Sequence, residues 1–378
     1  MSDTKIDFLY LSEPDMIAAG VTDMAACVDA MEETFALLHS GDYRMAGPNN
    51  DSHGALINFP DDSPFTTMPK NTSDRRFMAM PAYLGGDFGT TGVKWYGSNL
   101  DNQSKGLPRS ILVFMLTDTD TGAPLALMSA NLLSAYRTGA VPGVGARHLA
   151  LPDARTVGLV GPGVIGRTSL AAFVATCPKV DTVKFKGRDR ASADTFAAWV
   201  NEELPQITTV TEVDTIEDAV GDSDIVTFCT TGAGGDPATY PTLRREWVKP
   251  GAYVSMPSIC NVDDALMAPD VRKVADNTRM YQAWVDELGY PAHNRVSLLG
   301  CKYLDWIHEG RMAADELIDL GAVVAGAAVG RRNDDEIVLL SIGGMPVEDV
   351  AWGTTLYRTA LAKGIGTTLN LWERPVLA

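Results

Sequence analysis

Thr156-Val157-Gly158-Leu159-Val160-Gly161-Pro162-Gly163-Val164-Ile165-Gly166 is the stretch on which the reading of this chain turns. Thr156 to Val160 has the short apolar character of a buried strand, and a helix is predicted from about Ile165 to Ala175. A glycine pattern of this length is common by itself. Here it joins a strand to a helix, and that context gives it a physical meaning. Gly161 permits the tight turn, Gly163 lets the backbone approach a pyrophosphate, and Gly166 allows the helix to pack closely on its strand. The unpaired N–H groups at the start of the helix would meet the anion, so Pro162, Val164 and Ile165 count with the glycines as cofactor-binding candidates.

Beyond the loop, strand candidates at Thr182 to Phe185, Thr208 to Val213, Ile225 to Cys229 and Val248 to Ser255 are interleaved with helices near 191–203 and 215–220. Such alternation indicates a parallel, doubly wound sheet. Towards the amino terminus, Met24, Cys27, Val28, Met31, Phe35 and Leu38 recur at helical spacing, and Gly41 marks the stop. Three strands are predicted at Phe77 to Leu84, Thr91 to Ser98 and Ser110 to Thr117. The third turns through Asp118-Thr119-Asp120-Thr121-Gly122 into a hairpin with Pro124 to Ser129. Residues 131–150 read as a helix bent at Pro142-Gly143. The carboxyl-terminal part reads as an Ala/Gly/Val helix around 313–329, a strand Ile337 to Leu340 and an amphipathic helix from about Val347 to Lys363. The expected fold class is therefore α/β, with a Rossmann sheet at 136–334 set into a discontinuous α+β substrate domain of 1–135 plus 335–378.

At 378 residues two domains are expected, and 46% hydrophobic with 21% charged residues suits an ordinary globular protein. No run of roughly 18 apolar residues is present to span a bilayer, and the polar start Met1-Ser2-Asp3-Thr4-Lys5 does not resemble a secretory signal. A cytoplasmic location is expected. The net charge of −17 argues against nucleic acid and against anionic membranes as partners. The five cysteines lie far apart without a CxxC pair, so buried free thiols are expected and no metal site is predicted.

The end of the second Rossmann strand reads Phe185-Lys186-Gly187-Arg188-Asp189-Arg190. No carboxylate sits at the strand end itself, and Arg188 and Arg190 could bind a 2′-phosphate, which favours NADP(H). Asp189 remains open as the acid that would instead select NAD. Thr138, Thr230 and Thr231 complete the cofactor-binding candidates.

Gly92-Val93-Lys94-Trp95, Gly106-Leu107-Pro108-Arg109, Asp118 to Pro124, Ala135-Tyr136-Arg137-Thr138-Gly139-Ala140 and Gly344-Met345-Pro346-Val347-Glu348-Asp349 occur in a characteristic order around the glycine loop. In this the chain resembles the ornithine cyclodeaminase/μ-crystallin family over about residues 10–370. The resemblance implies a homodimer joined through the substrate domain, and hydride exchange between nicotinamide and the α-carbon of an amino acid or imine. It also implies roles for three residues. Lys94 matches the family's active-site lysine, here the candidate proton carrier. Arg137 matches the arginine of its Arg-Thr-Ala-Ala motif, with a domain-bridging ion pair as the rival role. Arg44 lies where the family places a carboxylate-binding arginine, although Gly47-Pro48-Asn49-Asn50 departs from the usual pattern.

A further departure follows the strand ending at Ser255. True cyclodeaminases carry a catalytic aspartate in a Gly-Asp-Cys-Pro-like stretch, whereas this chain reads Met256-Pro257-Ser258-Ile259-Cys260-Asn261, placing Ile259 at the aspartate position. Asp263 and Asp264 are expected instead to open the next helix. The reading is thus an amino acid dehydrogenase or imine reductase. Alternatives are a cyclodeaminase-type lyase that recycles its cofactor, and a non-catalytic ligand-binding protein of the μ-crystallin kind. His53 and His293 are expected in surface loops. The segment from about Pro60 to Arg76, with Lys70, Arg75 and Arg76, reads as a solvated insertion, with recognition of a second carboxylate as its alternative role.

Overall fold

In the computed structural model, which describes residues 4–72, 74–230 and 239–377, the chain divides into two units. The first comprises Met1–Asp23, Gly41–Ser134 and Met345–Ala378, and the second Met24–Ser40 and Ala135–Gly344.

The first unit is built on one sheet of β1 (Ile6–Leu11), β2 (Tyr43–Met45), β3 (Ala55–Asn58), β4 (Arg76–Leu84), β5 (Thr90–Ser98), β6 (Ser110–Thr117), β7 (Pro124–Ser129) and β18 (Thr367–Trp372). Its order is β18-β1-β7-β6-β5-β4-β2, with β3 also on β4, and only the β1–β7 pair is parallel. The predicted hairpin joins β6 to β7. Period-two alternation sends Met78, Met80, Leu84, Phe114, Leu116 and Met128 to one face, where they are buried. Helix α10 (Pro346–Lys363) covers that face and α1 (Glu13–Ala19) packs beside it. The fit is tight: a Cβ at Gly92 or at Gly353 would stand 2.4 or 2.5 Å from the Phe114 ring.

The second unit is a Rossmann sheet of eight strands: β8 (Thr156–Val160), β9 (Thr182–Lys186), β10 (Thr209–Glu212), β11 (Ile225–Phe228), β13 (Tyr253–Met256), β15 (Arg272–Ala275), β16 (Leu317–Asp319) and β17 (Val338–Ser341). All its pairs are parallel, in the order β10-β9-β8-β11-β13-β17-β15-β16. A small pair, β12 (Thr242–Leu243) and β14 (Asn261–Val262), stands apart. The helices are α2 (Met24–Ser40), α3 (Asn131–Leu149, continuing from the first unit), α4 (Val164–Thr176), α5 (Arg190–Glu203), α6 (Ile216–Val220), α7 (Thr278–Leu288), α8 (Leu299–His308) and α9 (Leu320–Val324).

The structure departs from the predicted boundaries in two places. Helix α2 belongs with the Rossmann unit, because its apolar face packs on α4 and α9, so closely that a Cβ on Gly321 would lie 2.6 Å from the Phe35 carbonyl. Residues 335–344 belong there too, since β17 is an interior strand of the parallel sheet. The Ala/Gly/Val helix expected around 313–329 is reduced to α9, with β16 before it and Gly326 at φ +70° after it. Pro142 does not interrupt α3, which runs as one helix from Asn131 to Leu149. Its small face crosses α4 closely, a Cβ at Gly139 falling 2.3 Å from Thr168 Oγ1 and one at Gly143 falling 2.7 Å from Ala172. Among the described residues no helix is long and apolar enough to cross a membrane. None of the five cysteines is in a disulfide, and Cys27, Cys177, Cys260 and Cys301 are buried.

Candidate active site

In the first unit the sequence-predicted Lys94 lies on β5. The register Met80↔Lys94↔Phe114↔Met128 puts its side chain on the covered face of the sheet. There Nζ lies 2.7 Å from Asp349 Oδ2 and 3.4 Å from Ser134 Oγ, and the lysine and aspartate side chains are 2% and 0% exposed. Asp349 stands in the first turn of α10, where the helix N-terminus favours a carboxylate. A lysine drawn out of water this far keeps its charge only with a partner, and Asp349 is that partner. The Lys94 ammonium also lies 5.9 Å from the centre of the Tyr96 ring.

Arg44 is not part of this cluster. It pairs with Tyr83, and through Tyr83↔Thr91↔Thr117 it belongs to the opposite face of the sheet. Its guanidinium turns back to the Gly41 and Tyr43 carbonyls. The structure does not bring Arg44 together with Lys94: a residue on a strand reaches one face only, and Arg44 has the opposite parity. The basic residues of the 60–76 segment have carboxylate neighbours of their own. Lys70 pairs with Asp62 at 2.8 Å, Arg75 lies 3.7 Å from Asp101, and Arg76 bonds Asp74.

In the second unit the glycine loop has the form of a dinucleotide cradle. Gly161 takes φ +94°, and a Cβ there would stand 2.7 Å from the Cys229 carbonyl, while one at Gly166 would stand 2.4 Å from the Gly161 carbonyl. Gly163 is different. It caps α4 without a side chain, and a Cβ added to it meets nothing within 4 Å, which leaves open space over the first helical N–H groups. These residues fit a pyrophosphate.

At the end of β9, Asp189 caps α5 by accepting from Ser192 N at 2.9 Å. Arg190 is paired with Asp194 and Glu212, and Arg188 lies 3.5 Å from Asp189 with its side chain 91% exposed. Thr230 Oγ1 donates to the Ile259 carbonyl at 3.2 Å, Thr138 is half-buried on α3, and Thr231 lies outside the described residues.

Arg137 is 5% exposed on α3. Gly344 takes φ +74°, where a side chain would be strained, and a Cβ on it would press on Arg137 Nη1 at 3.0 Å. Asp276, at the end of β15, holds this turn by accepting from Gly343 N at 2.7 Å and Gly344 N at 3.2 Å. Burial pushes its carboxyl up to about 6 against the opposing pull of those amides. Sequence reasoning missed Asp349, Ser134, Tyr96 and Asp276. Asp349 lay inside a motif already singled out, as the second of two acids opening a helix.

Ile259 is half-buried after β13, and no carboxylate near it in sequence is free to replace an aspartate. Asp263 caps the following turn by accepting from Ala265 N, and Asp264 binds Lys302 and Arg311. Lys302 and Arg311 hold the Asp264 carboxyl below the usual range. His293 is likewise structural: its ring nitrogen meets the Leu298 carbonyl at 3.0 Å, and burial lowers its pKa. No cluster of three potential metal ligands occurs among the described residues.

With this geometry in place, comparison with known proteins is informative. The family model described as "Ornithine cyclodeaminase/mu-crystallin family" matches residues 20–364. The N-((2S)-2-amino-2-carboxyethyl)-L-glutamate dehydrogenase of Staphylococcus aureus (strain NCTC 8325 / PS 47) is 29% identical over 371 residues, covering 97% of this chain and 99% of that protein. A Thermococcus litoralis Delta(1)-pyrroline-2-carboxylate reductase, solved with NADH and L-proline, superposes with a TM-score of 0.75 at 24% identity, over 95% of this chain and 99% of that one. An archaeal alanine dehydrogenase dimer with bound NAD gives 0.75 at 22% identity, over 97% of this chain and 100% of that one. The last two establish likeness of fold.

Proposed function

The chain belongs to the ornithine cyclodeaminase/mu-crystallin family, and on that premise we propose that it is an NAD(P)(H)-dependent oxidoreductase acting on an α-amino acid or its imine. A nicotinamide dinucleotide on the glycine loop supplies a two-electron hydride acceptor or donor for the substrate α-carbon. In the reductive direction the imine carbon gains a hydride and its nitrogen gains a proton, giving the amine. Lys94, kept cationic by Asp349, polarises the substrate and supplies the proton. Arg137, held beneath the Gly343-Gly344 turn, binds carboxylate.

The observation that favours the oxidoreductase over the lyase is Ile259. A cyclodeaminase needs a carboxylate at this position to handle a proton or a water, and isoleucine can do neither. Retention of Lys94 in a buried ion pair speaks against a non-catalytic binding protein, since such a pair has little net value for stability alone. The relatives' names point the same way: they include dehydrogenases and a reductase of amino acids or imines.

Within the cofactor class we favour NADP(H), supported by the solvent-exposed Arg188 guanidinium, 3.5 Å from Asp189, and by an Asp189 that caps α5. We also propose a homodimer through the outer face of the first unit's sheet. The register aligns Phe77, Gly97 and Ile111, then Ala79, Trp95 and Val113, then Pro81, Val93 and Met115 across that face. Phe77, Trp95, Ile111, Val113 and Met115 stay 37–51% exposed, forming an apolar stripe of the kind that marks an association surface.

The test is a 340 nm assay of NADPH and NADH with ammonia and a panel of keto acids and cyclic imines, with L-ornithine and NAD⁺ run separately. Net consumption of reduced cofactor, lost in Lys94→Ala, is expected. Conversion of ornithine to proline at constant cofactor would overturn the reading in favour of the lyase.

A further inference from the structure

We propose that a second anion-binding subsite, centred on Arg76 and shared by Arg109, lies on the Lys94 face of the sheet and selects substrates that carry a carboxylate beyond the one on the α-carbon. This rests on the oxidoreductase reading and adds a substrate class to it.

Strand register sets the placement. Arg76 lies opposite Ser98, Met78 opposite Tyr96 and Met80 opposite Lys94, so Arg76 and Lys94 share the covered face with Tyr96 between them. The two cations converge on the Tyr96 ring, Arg76 Cζ at 6.0 Å from its centre and Lys94 Nζ at 5.9 Å. Four residues of strand separate their backbones by about 13 Å, and the side chains close part of that gap by leaning towards the tyrosine. A carboxylate held near Lys94 therefore leaves Arg76 within reach of an acidic group several bonds further along the same molecule.

The cluster has charge to spare. Asp74, whose side chain is fully buried, accepts from Arg76 Nη1, Arg109 Nε and Ser98 Oγ. One carboxylate thus orients two guanidinium groups, which remain 31% and 33% exposed. Within this cluster two guanidinium groups share one carboxylate, which leaves one net positive charge there in a protein whose overall charge is −17. Arg76 Nε is buried with no hydrogen-bond partner. A guanidinium presents five donors in a planar fork matched to carboxylate. Asp74 occupies one Arg76 nitrogen, so the fork is only partly used. Satisfying it with a second acid explains an arginine that the ion pair alone does not need. Arg76 acts here as a specificity residue, and it supplies on the Lys94 face the cation that Arg44 cannot.

Two measurements separate this proposal from the reading beneath it. Steady-state kcat/KM is compared for L-glutamate and L-alanine with NAD(P)⁺ in wild type, Arg76→Met and Arg76→Lys. Calorimetric titration with glutarate and with propionate runs in parallel. The ratio of kcat/KM values is independent of how much protein is folded, so partial unfolding of a variant does not mimic the effect. Loss of a charge-assisted pair is expected to reduce the glutamate-to-alanine ratio and the glutarate affinity by about 10- to 100-fold in Arg76→Met. Propionate binding should change by less than about threefold, and Arg76→Lys, which keeps the charge on Asp74, should be intermediate. An unchanged ratio together with unchanged glutarate affinity in the lysine and methionine variants overturns the subsite and leaves the oxidoreductase standing. Glutarate binding that depends on Arg76 in a protein with no cofactor turnover does the reverse.

Discussion

Replacing Asp349 by asparagine removes the counter-charge of a lysine that is 2% exposed and leaves the shape of the site nearly unchanged. Breaking a buried pair from one side strands the other ion, and that costs about 3–5 kcal/mol. For a unit of this size 1 kcal/mol corresponds to about 2–4 °C, so its unfolding transition should fall by about 6–20 °C. Activity should fall further than stability does, because Lys94 would lose the partner that holds its ammonium 2.7 Å away, and kcat/KM should drop at least about 100-fold in protein still folded at the assay temperature. The double variant Lys94→Met/Asp349→Leu distinguishes the two effects. Filling the space with apolar groups should restore most of the stability while activity stays absent. Differential scanning calorimetry and the 340 nm assay read the two quantities. If Asp349→Asn melts within about 1 kcal/mol of wild type and keeps its rate, the ion pair neither supports the fold nor positions the lysine.

Other outcomes follow from the second unit and from the outer sheet face. Gly163→Ala should fold normally, since its Cβ meets no atom within 4 Å, yet bind NADPH at least about tenfold more weakly by fluorescence titration; Gly161→Ala, at φ +94° with a clash at 2.7 Å, should instead lose stability. Arg188→Ala should raise KM for NADPH and leave that for NADH unchanged; equal effects on both would remove the basis for the NADP preference. Asp276 has a folded pKa of about 6, above the unfolded value of 3.8, so its ionised form is the less stable one in the native state. Relative to Asp276→Asn, wild type should therefore gain about 2 kcal/mol of stability as pH falls from 6 to 4 and lose it again as pH rises through that window. Denaturant melts at several pH values give the difference, and a flat difference refutes it. Ile111→Glu with Val113→Lys should yield monomers in light scattering if the apolar sheet face joins two copies.

What could be read from residues alone divides along a physical line. Period and punctuation were legible. The alternation in β4 to β7 and the turn at Asp118–Gly122 placed the antiparallel strands within a residue or two, and β8, the glycine loop and α4 followed from a pattern that is local in sequence. Helices α7 and α8 escaped notice although Asn277 caps the first, its side-chain oxygen accepting from Arg279 N. That signal was present in the sequence, but a cap without a glycine motif beside it attracts less weight.

Parity was not legible where it mattered most. Strand β2 has three residues after the Gly41 turn, too few for an alternation that says whether Arg44 or its neighbours face the covered side. Only pairing through Tyr83, Thr91 and Thr117 settles it, and those partners lie far along the chain. The same long-range pairing brings Arg76 to the face of Lys94 and gives it Asp74 and Arg109 as neighbours. A motif specifies which residue types a site can use, whereas a sheet decides which of them share a face. Arg44 had the motif position and lacks the face; Arg76, named in the sequence only as the end of a segment read as a solvated insertion, opens β4 and has the face.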